Sequence, residues 1–274
     1  MIRELEMTVL ADNLAGEPLE AEWGLSILLD ADGRKILLDT GSGGAFARNA
    51  ERLGIDLAGV GLGVLSHAHY DHADGLETFF SLNADAPFLV REGTRENCWG
   101  VKDGVLRYNG IRSGTLEKYA ARIRYVGGVY AAADGAWLVP HRRADYSAIA
   151  LRSGLYAERG GERVPDDFAH EQSLVIETPR GLAVFSSCSH TGMANVLEDV
   201  RAMLGRGDVF AYVGGLHLYK LSDGELEALC EEIRRTPVRH VFTGHCTGDH
   251  AFAFLKERLG DRIAQFSAGF RYRF

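Results

Sequence analysis

Residues 67–72 read HAHYDH and hold three histidines and an aspartate within six positions. Imidazole and carboxylate groups are ligands for zinc, manganese and iron. On a helix, the side chains of His67 and His69 would point roughly 200° apart, so their spacing requires extended or loop backbone. We therefore predict a metal-binding loop in which Asp71 and His72 turn toward a second ion.

The alternative for this segment is a solvent-exposed polar loop. However, the segment directly follows the apolar run VGLGVL at residues 60–65, which is typical of a buried strand. An exposed loop gives no reason to concentrate three histidines and an aspartate at the end of such a strand, so we favour the metal site.

Three later segments place histidine or cysteine after strand-like runs. They are Cys188 and His190 after residues 172–187, His217 after residues 208–213, and His245 after residues 238–242. Loops at the ends of adjacent strands can converge on one site. His217 also follows two glycines, which let the backbone or a ligand approach closely. A core histidine is the alternative for His217, but we assign it to substrate contact or general acid catalysis, with metal ligation second.

These motifs resemble those of the metallo-β-lactamase superfamily. Residues 67–72 match its HxHxDH signature, and residues 35–41 (KILLDTG) resemble its strand that ends in Asp-Thr-Gly. The resemblance implies that Asp39 is buried and supports the metal loop without binding an ion. Further segments are similar to the branch of dihydropterin-ribofuranosyl-aminobenzene-phosphate synthase-like proteins: residues 22–26, 187–192, 214–218 and 243–248.

The resemblance also implies a ligand set for each of two ions. The first ion is expected at His67, His69 and His190, and the second at Asp71, His72 and His245. In many relatives the third histidine of the first set precedes a hairpin, and an aspartate at a strand end bridges the ions. Here His170 and Cys188 occupy those places and are the alternative ligands. We prefer His190 because residues 188–192 (CSHTG) resemble the branch motif.

Two neighbouring divalent ions would lower the pKa of a shared water and stabilise the charge that develops when it attacks a substrate. This is hydrolytic chemistry, and the resemblance implies that Asp71 also orients the water. The expected catalytic residues are Asp71 and His217. The expected cofactors are two divalent transition-metal ions, with zinc preferred and manganese or iron as alternatives. No GxSxG, P-loop or GxGxxG motif in a suitable context offers a rival mechanism.

The candidate substrate-binding residues are Glu22, His217, Arg142 and Arg143. The two arginines form the most concentrated basic stretch in the middle of the chain. Guanidinium groups bind phosphate or carboxylate through paired hydrogen bonds, so these arginines favour a small anionic substrate. The alternative is that both arginines are solvated surface groups.

The charge balance limits the kinds of partner. Thirty Lys and Arg against 38 Asp and Glu give a formal net charge of −8, which disfavours a nucleic-acid partner because phosphate contacts need a basic surface. The sequence shows neither a leader pattern nor an apolar stretch long enough to span a membrane. We expect a cytoplasmic protein with a small-molecule substrate, and we leave its oligomeric state open. The four cysteines form no CxxC pair, which predicts reduced thiols.

The 274 residues alternate between strand-like and helix-like segments, and 46% of them are hydrophobic, which predicts an α/β protein with a substantial core. Ser222 to Glu225 forms a capping box and predicts a helix with Cys230 on its buried face. Together with the resemblance, this predicts an αββα sandwich of two mixed sheets in a single domain, residues 1–274. Residues 95–170 fit the alternation poorly and predict an inserted cap.

The predicted function is a metal-dependent hydrolase of a small anionic substrate. One alternative is the pterin-linked synthase activity that the branch name implies. Others are an iron-dependent oxidoreductase, which in this superfamily commonly pairs with a flavin domain that this chain has no room for, and a non-catalytic metal-binding protein. A scaffold would tolerate an incomplete ligand set, whereas the set here is nearly complete.

Overall fold

The computed structural model describes residues 1–141 and 145–274. Its strands follow the apolar runs of the sequence, as expected for sheets with one or both faces buried. In chain order the strands are Leu5–Ala11 (β1), Ser26–Ala31 (β2), Arg34–Leu38 (β3), Leu62–Val64 (β4), Phe88–Arg91 (β5), Cys98–Lys102 (β6), Val105–Tyr108 (β7), Ile123–Val126 (β8), Tyr130–Ala133 (β9), Ala136–Pro140 (β10), Leu155–Arg159 (β11), Glu162–Pro165 (β12), Gln172–Thr178 (β13), Gly181–Phe185 (β14), Val209–Val213 (β15), His240–Thr243 (β16), Ile263–Gln265 (β17) and Arg271–Arg273 (β18).

The α-helices lie between these strands. In chain order they are Ala45–Arg52 (α1), Tyr70–Ala73 (α2), Leu76–Leu82 (α3), Thr115–Lys118 (α4), Ser147–Ser153 (α5), Met193–Leu204 (α6), Asp223–Arg235 (α7) and Asp249–Leu259 (α8). The predicted capping box is confirmed at α7, where Ser222 hydrogen-bonds to the Glu225 side chain. Cys230 is fully buried in α7, as predicted. None of the helices in the described ranges has the length and apolar character needed to cross a membrane.

Two seven-stranded sheets form the centre of the fold and confirm the predicted αββα sandwich. The first has the order β18-β1-β2-β3-β4-β5-β8, and the second has the order β17-β16-β15-β14-β13-β10-β9. Their inner faces share an apolar cluster that includes Val9, Leu29, Leu138, Phe185 and Phe242. Helices α1 and α3 pack on the outer face of the first sheet, and α6, α7 and α8 pack on that of the second. Each large side chain buried in this way contributes about 1.5–3 kcal/mol to the hydrophobic stabilisation.

The strands that precede the candidate ligands run parallel to their neighbours. In the first sheet β3 pairs with β4, and in the second sheet β14, β15 and β16 pair in sequence. Neighbouring parallel strands end at the same edge of a sheet, so the loops that follow them converge there. These loops carry Asp39, His67, Cys188, His217 and His245.

The stretch at residues 95–170 contributes to three sheets. Strands β6, β7, β11 and β12 form a separate antiparallel sheet in the order β12-β11-β6-β7. Strands β8, β9 and β10 join the edges of the two main sheets instead. The separate sheet therefore comes from residues 98–108 and 155–165. The division of the chain into a single domain with a cap stays a prediction.

Candidate metal centre

The structure gathers the six preferred ligands into two buried groups. Within each group, one donor atom per side chain lies within 4.8 Å of the others. The groups are His67, His69 and His190, and Asp71, His72 and His245. The backbone is extended at His69 and α2 begins at the next residue, so the chain turns between the two halves of the motif. Each group brings together one of the ligand sets that the resemblance implies, and the binding of two ions there stays a prediction.

Asp39 lies behind the motif and orients two histidines. Its Oδ2 accepts hydrogen bonds from Ser66 Oγ at 2.6 Å and His72 Nδ1 at 2.8 Å, and its Oδ1 accepts from the Ser66 N–H at 2.7 Å. Ser66 Oγ in turn lies 2.8 Å from His67 Nδ1 and accepts from it. Both imidazoles therefore carry hydrogen on Nδ1 and present the lone pair of Nε2.

Glu171 and Asn13 hold two further candidate ligands in the same tautomer. His190 Nδ1 lies 3.1 Å from Glu171 Oε1, and His245 Nδ1 lies 3.0 Å from Asn13 Oδ1. Carboxylate and amide oxygens accept hydrogen bonds, so each Nδ1 donates and each Nε2 is left to bind a metal ion or a proton. Sequence reasoning missed both supporting residues, because neither lies in a recognisable motif.

The nitrogen atoms of the two groups fit a bound cation. His72 Nε2 lies 3.2 Å from His245 Nε2 and 3.1 Å from Cys188 Sγ. With hydrogen on both Nδ1 atoms, the two Nε2 lone pairs face each other, and a proton or a metal ion between them relieves the repulsion. The Nε2 atoms of His67 and His69 are buried and have no hydrogen-bond partner among the described residues. Transition-metal ligation would satisfy such atoms.

Electrostatics differ between the two groups. Burial, and then the neighbouring imidazoles, hold the pKa of His67 and that of His69 well below the usual value. Burial opposes ionisation of Asp71, but His72 and His245 more than offset it and lower the pKa of that carboxyl. Burial also opposes protonation of His245, but Asp71 above all raises its pKa to about 9. The second group thus attracts positive charge. A metal ion would compete with a proton for its donor atoms.

His170, the alternative ligand, has partners for both ring nitrogens. Its Nδ1 accepts a hydrogen bond from the Ala68 N–H at 3.2 Å, and its Nε2 lies 3.1 Å from Asp166 Oδ2. An accepting Nδ1 leaves the ring hydrogen on Nε2, which donates to the carboxylate. His170 therefore braces the backbone of the metal loop. Cys98 and Asp166, both buried close to it, were missed by sequence reasoning because they lie far apart in the chain.

We expect His190→Ala to lower the number of tightly bound Zn²⁺ ions from about two per chain to about one. The reason is that His190 offers its Nε2 atom to the first group. His170→Ala, the matched control, should keep both equivalents and weaken binding roughly 10- to 100-fold, as loss of a supporting contact does. Calorimetric titration of both variants with Zn²⁺ measures this difference. A zinc-bound structure with a His170 nitrogen at about 2.1 Å from the ion, and His190 farther away, would contradict the assignment.

His217 lies on the open side of the centre. Its ring centroid is 4.6 Å from that of His190, and both of its ring nitrogens are buried without a hydrogen-bond partner in the described ranges. Its φ of 51° is left-handed, a strained conformation that is concentrated at functional sites. A cavity of about 560 Å³ begins at His190 and His217 and extends between α5, α6 and α7.

Glu22, another predicted substrate contact, lies apart from this cavity. Glu22 packs against the turn before α1, where its Oε2 accepts a hydrogen bond from the Ala45 N–H at 3.4 Å and where burial raises its pKa. Its role in substrate binding stays a prediction. Arg142 and Arg143 lie outside the described residues. Sequence reasoning missed Trp23, a half-exposed residue whose ring centroid lies 5.4 Å from that of His245.

Two cysteines lie against the second group. Cys188 Sγ is 3.4 Å from Cys246 Sγ, and both side chains are buried. Burial, and then the hydrogen bond to Cys246, raise the pKa of the Cys188 thiol. Burial opposes ionisation of Cys246, but Cys188 and the nearby imidazoles more than offset it and hold the pKa of its thiol well below the usual value. The sulfur pair thus favours one thiolate beside the histidines.

Known proteins are similar to this chain in sequence and in fold. The model of the Metallo-beta-lactamase superfamily matches residues 24–202. The 7,8-dihydropterin-6-methyl-4-(beta-D-ribofuranosyl)-aminobenzene-5'-phosphate synthase of Methanocaldococcus jannaschii is 24% identical, with 98% of this chain and 96% of that protein aligned. Tm1679, described as a metal-dependent hydrolase of the beta-lactamase superfamily, has a TM-score of 0.82 and 29% identity over 98% of both chains.

A diphosphatase of the PhnP family shares the fold, with a TM-score of 0.55 and 15% identity over 98% of both chains. The resemblance that the motifs indicate, including its synthase-like branch, is therefore confirmed by relatives that span the chain from end to end. With its HxHxDH loop at the meeting point of two sheets, this chain belongs to the metallo-beta-lactamase superfamily.

Proposed function

We propose that this protein is a metal-dependent hydrolase of a small anionic substrate. The observation that carries the proposal is the convergence of buried imidazole nitrogens from His67, His69, His72 and His245. His67 packs against His190, which with His217 lines an open cavity. Tm1679, the structural relative with 29% identity, is described as a metal-dependent hydrolase, which supports the same class of activity.

The two groups of donors would hold two ions. His67, His69 and His190 would bind one, and Asp71, His72 and His245 the other. Nitrogen and oxygen donors in this combination favour zinc, with manganese or iron as alternatives. Bound there, divalent ions supply Lewis acidity, which polarises a substrate oxygen and lowers the pKa of water.

Two residues would act on protons, Asp71 in the second donor group and His217 at the cavity. The carboxylate of Asp71 is held ionised by the adjacent histidines, so it can accept a hydrogen bond from the attacking water and orient it. His217 has both nitrogens free of protein partners in the described part of the chain and lies beside His190. It can donate a proton to the leaving group as a general acid.

The cavity beside His217 is the proposed substrate site, and its charges support an anionic substrate. Lys220 lines the cavity, and its Nζ donates to a backbone oxygen, that of Ser153, at 2.8 Å. Arg152 also lines the cavity, but Glu225 lies 3.4 Å from it and offsets its charge. Arg235 and Glu232 line the cavity as well, so its cations exceed its carboxylates by one. Lys220, three residues after His217, is the cation we propose for recognition of a phosphate or carboxylate group.

The zinc-loaded protein is expected to hydrolyse a phosphate ester in preference to neutral lactones and thioesters. A panel of phosphomonoesters, phosphodiesters, lactones and thioesters measures this preference, and activity should disappear on chelation and return with Zn²⁺. Loss of general acid catalysis in His217→Asn should lower kcat about 10²- to 10⁴-fold. Lys220→Met should raise KM for the anionic ester alone.

Lys118→Met is the matched control for the lost charge, because Lys118 lies in α4 on the first sheet and pairs with Glu77. It should leave KM unchanged. Full zinc occupancy without turnover of any ester, lactone or thioester would argue against a hydrolase and for a non-catalytic metal protein.

A pterin-linked synthase is the second candidate function. The observation that favours it is the end-to-end alignment with the synthase of Methanocaldococcus jannaschii, which includes the region of the separate four-stranded sheet. Incubation of the metal-loaded protein with a 6-methyl-7,8-dihydropterin that carries a leaving group on its methyl carbon and with ribofuranosyl-aminobenzene phosphate, followed by mass spectrometry for the joined product, distinguishes it from the hydrolase.

A further inference from the structure

We propose that His141 is a positioning residue of the metal centre, which fixes the ring of His190 through the carboxylate of Glu171. The inference rests on the metal centre of the proposed function and extends it to a residue outside both donor groups. His141 directly follows β10, and its side chain is fully buried. It therefore acts through its neighbours and not on a substrate.

The carboxylate of Glu171 lies between the two imidazoles and uses one oxygen for each. Glu171 Oε1 accepts hydrogen bonds from His190 Nδ1 at 3.1 Å and from the His190 N–H at 3.2 Å. Glu171 Oε2 lies 3.1 Å from His141 Nδ1. Carboxylate oxygens accept hydrogen bonds, so His141 Nδ1 donates to Oε2. The orientation of the carboxylate, and with it that of His190, is thus set from both sides.

Ser173 determines which nitrogen of His141 carries the hydrogen. His141 Nε2 lies 3.0 Å from Ser173 Oγ. Because Nδ1 donates to Glu171, a neutral ring accepts at Nε2 from the Ser173 hydroxyl. Thr191 Oγ1 is a further neighbour of Nδ1, at 3.2 Å. Both ring nitrogens are therefore hydrogen-bonded, and a rotation of the ring breaks at least one of these bonds.

Three adjacent strands hold this chain of hydrogen bonds together. Strand β13 pairs antiparallel with β10 on one side and with β14 on the other. The end of β10, the start of β13 and the end of β14 thus lie at one edge of the sheet, next to His141, Glu171 and His190. Phe168 stacks on the His190 ring, with the two planes 5° apart and the centroids 5.3 Å apart. With Nδ1 bound and one face covered, the Nε2 edge of His190 is left for an ion.

A role in packing alone does not account for these contacts. An apolar side chain at position 141 would fill the same space, but Glu171 Oε2 would lose the donor that it has among the described residues. A buried carboxylate without its partner is costly. Glu171 would then turn toward other donors and release His190 from its orientation.

Titration of His141→Leu and His141→Asn with Zn²⁺ tests the inference. Leucine removes the donor to Glu171, whereas asparagine places an amide N–H near the position of Nδ1. We expect His141→Leu to weaken zinc binding at the first position roughly 10- to 100-fold with the second position unchanged, and His141→Asn to restore the wild-type affinity. Comparison with His190→Ala assigns the weakened step to the first position. His240→Leu, the matched control, removes a half-buried imidazole at the start of β16 and should bind zinc as the wild type does.

NMR of the zinc-loaded protein with labelled histidine gives a second readout, which packing alone would not change. The Nδ1–H proton of His190, hydrogen-bonded to a carboxylate, should give a downfield signal that is absent in His190→Ala. We expect this signal to be lost by exchange with water in His141→Leu and to return in His141→Asn.

Wild-type zinc affinity at both positions in folded His141→Leu would overturn the inference. An equal loss at both positions, or a loss that asparagine does not restore, would overturn it as well. If circular dichroism shows that His141→Leu does not fold, His141→Ala takes its place in the titration. Zinc binding without turnover of any substrate counts against the proposed function alone, and failure of the wild-type protein to bind zinc removes both.

Discussion

Replacement of His72 by alanine is expected to lower metal content from about two ions per chain to one or fewer. His72 Nε2 lies 3.2 Å from His245 Nε2 and 3.1 Å from Cys188 Sγ, at the centre of the second group. Without the His72 lone pair, the second ion position keeps only two of its three predicted ligands, Asp71 and His245. The first position should lose its ion in the same way in His69→Ala, since His69 is one of only three histidines that form that group.

Elemental analysis after dialysis measures the metal content of each variant, and circular dichroism checks that the fold persists. His250→Ala is the matched control, because His250 is exposed on α8 and pairs with Asp223 at the surface. It should keep the wild-type metal content. Wild-type occupancy in both His69→Ala and His72→Ala would refute the ligand assignment.

The strands that precede the candidate ligands can be predicted from the sequence, because each is marked by a local apolar run. The run at residues 60–65 predicts β4, and the histidine motif follows it directly. The histidines of the later segments likewise follow β14, β15 and β16. Apolar runs mark strands and polar residues mark the loops after them, so the approximate place of each ligand follows without knowledge of its partners.

The preference for His190 over His170 stays a prediction, and the contact that now supports it cannot be read from the sequence. Both residues lie in buried segments near the centre, so their positions along the chain do not distinguish them. His170 loses its free lone pair to the N–H of Ala68, a residue 102 positions away. Glu171, the next residue, supports His190 instead. Long-range pairings of this kind leave no periodic pattern in the sequence.

The region at residues 95–170 is harder to predict for a related reason. Its strands are four or five residues long, too short for a clear alternation. Strand β8 pairs with β5, which lies far before it in the chain, and β9 and β10 join the other main sheet. The sequence therefore indicates an irregular insertion but not which of its strands extend the main sheets.

Replacement of Asp39 is expected to have the largest effect on stability of any change near the centre. Asp39 is fully buried and accepts three hydrogen bonds, from the Ser66 N–H, Ser66 Oγ and His72 Nδ1. In Asp39→Ala these donors lose their acceptor, and each buried unpaired donor costs about 1–3 kcal/mol. The φ of 59° adds strain for alanine, because left-handed backbone suits aspartate and asparagine better. We expect a loss of about 3–5 kcal/mol in the free energy of unfolding, measured by urea denaturation of the metal-free protein.

Asp39→Asn separates support of the metal ligands from support of the fold. Asparagine keeps the shape and tolerates the left-handed backbone, so it should cost less stability than alanine. Its amide oxygen can still accept from the Ser66 N–H, but its NH₂ group then occupies the place of Oδ2, 2.8 Å from His72 Nδ1. His72 must accept there and move its hydrogen to Nε2, where the lone pair for the metal is lost. Zinc affinity at the second position should therefore fall roughly 10- to 100-fold in a folded protein. Competition titration against a chelator measures this, and wild-type affinity in Asp39→Asn would show that Asp39 supports the fold alone.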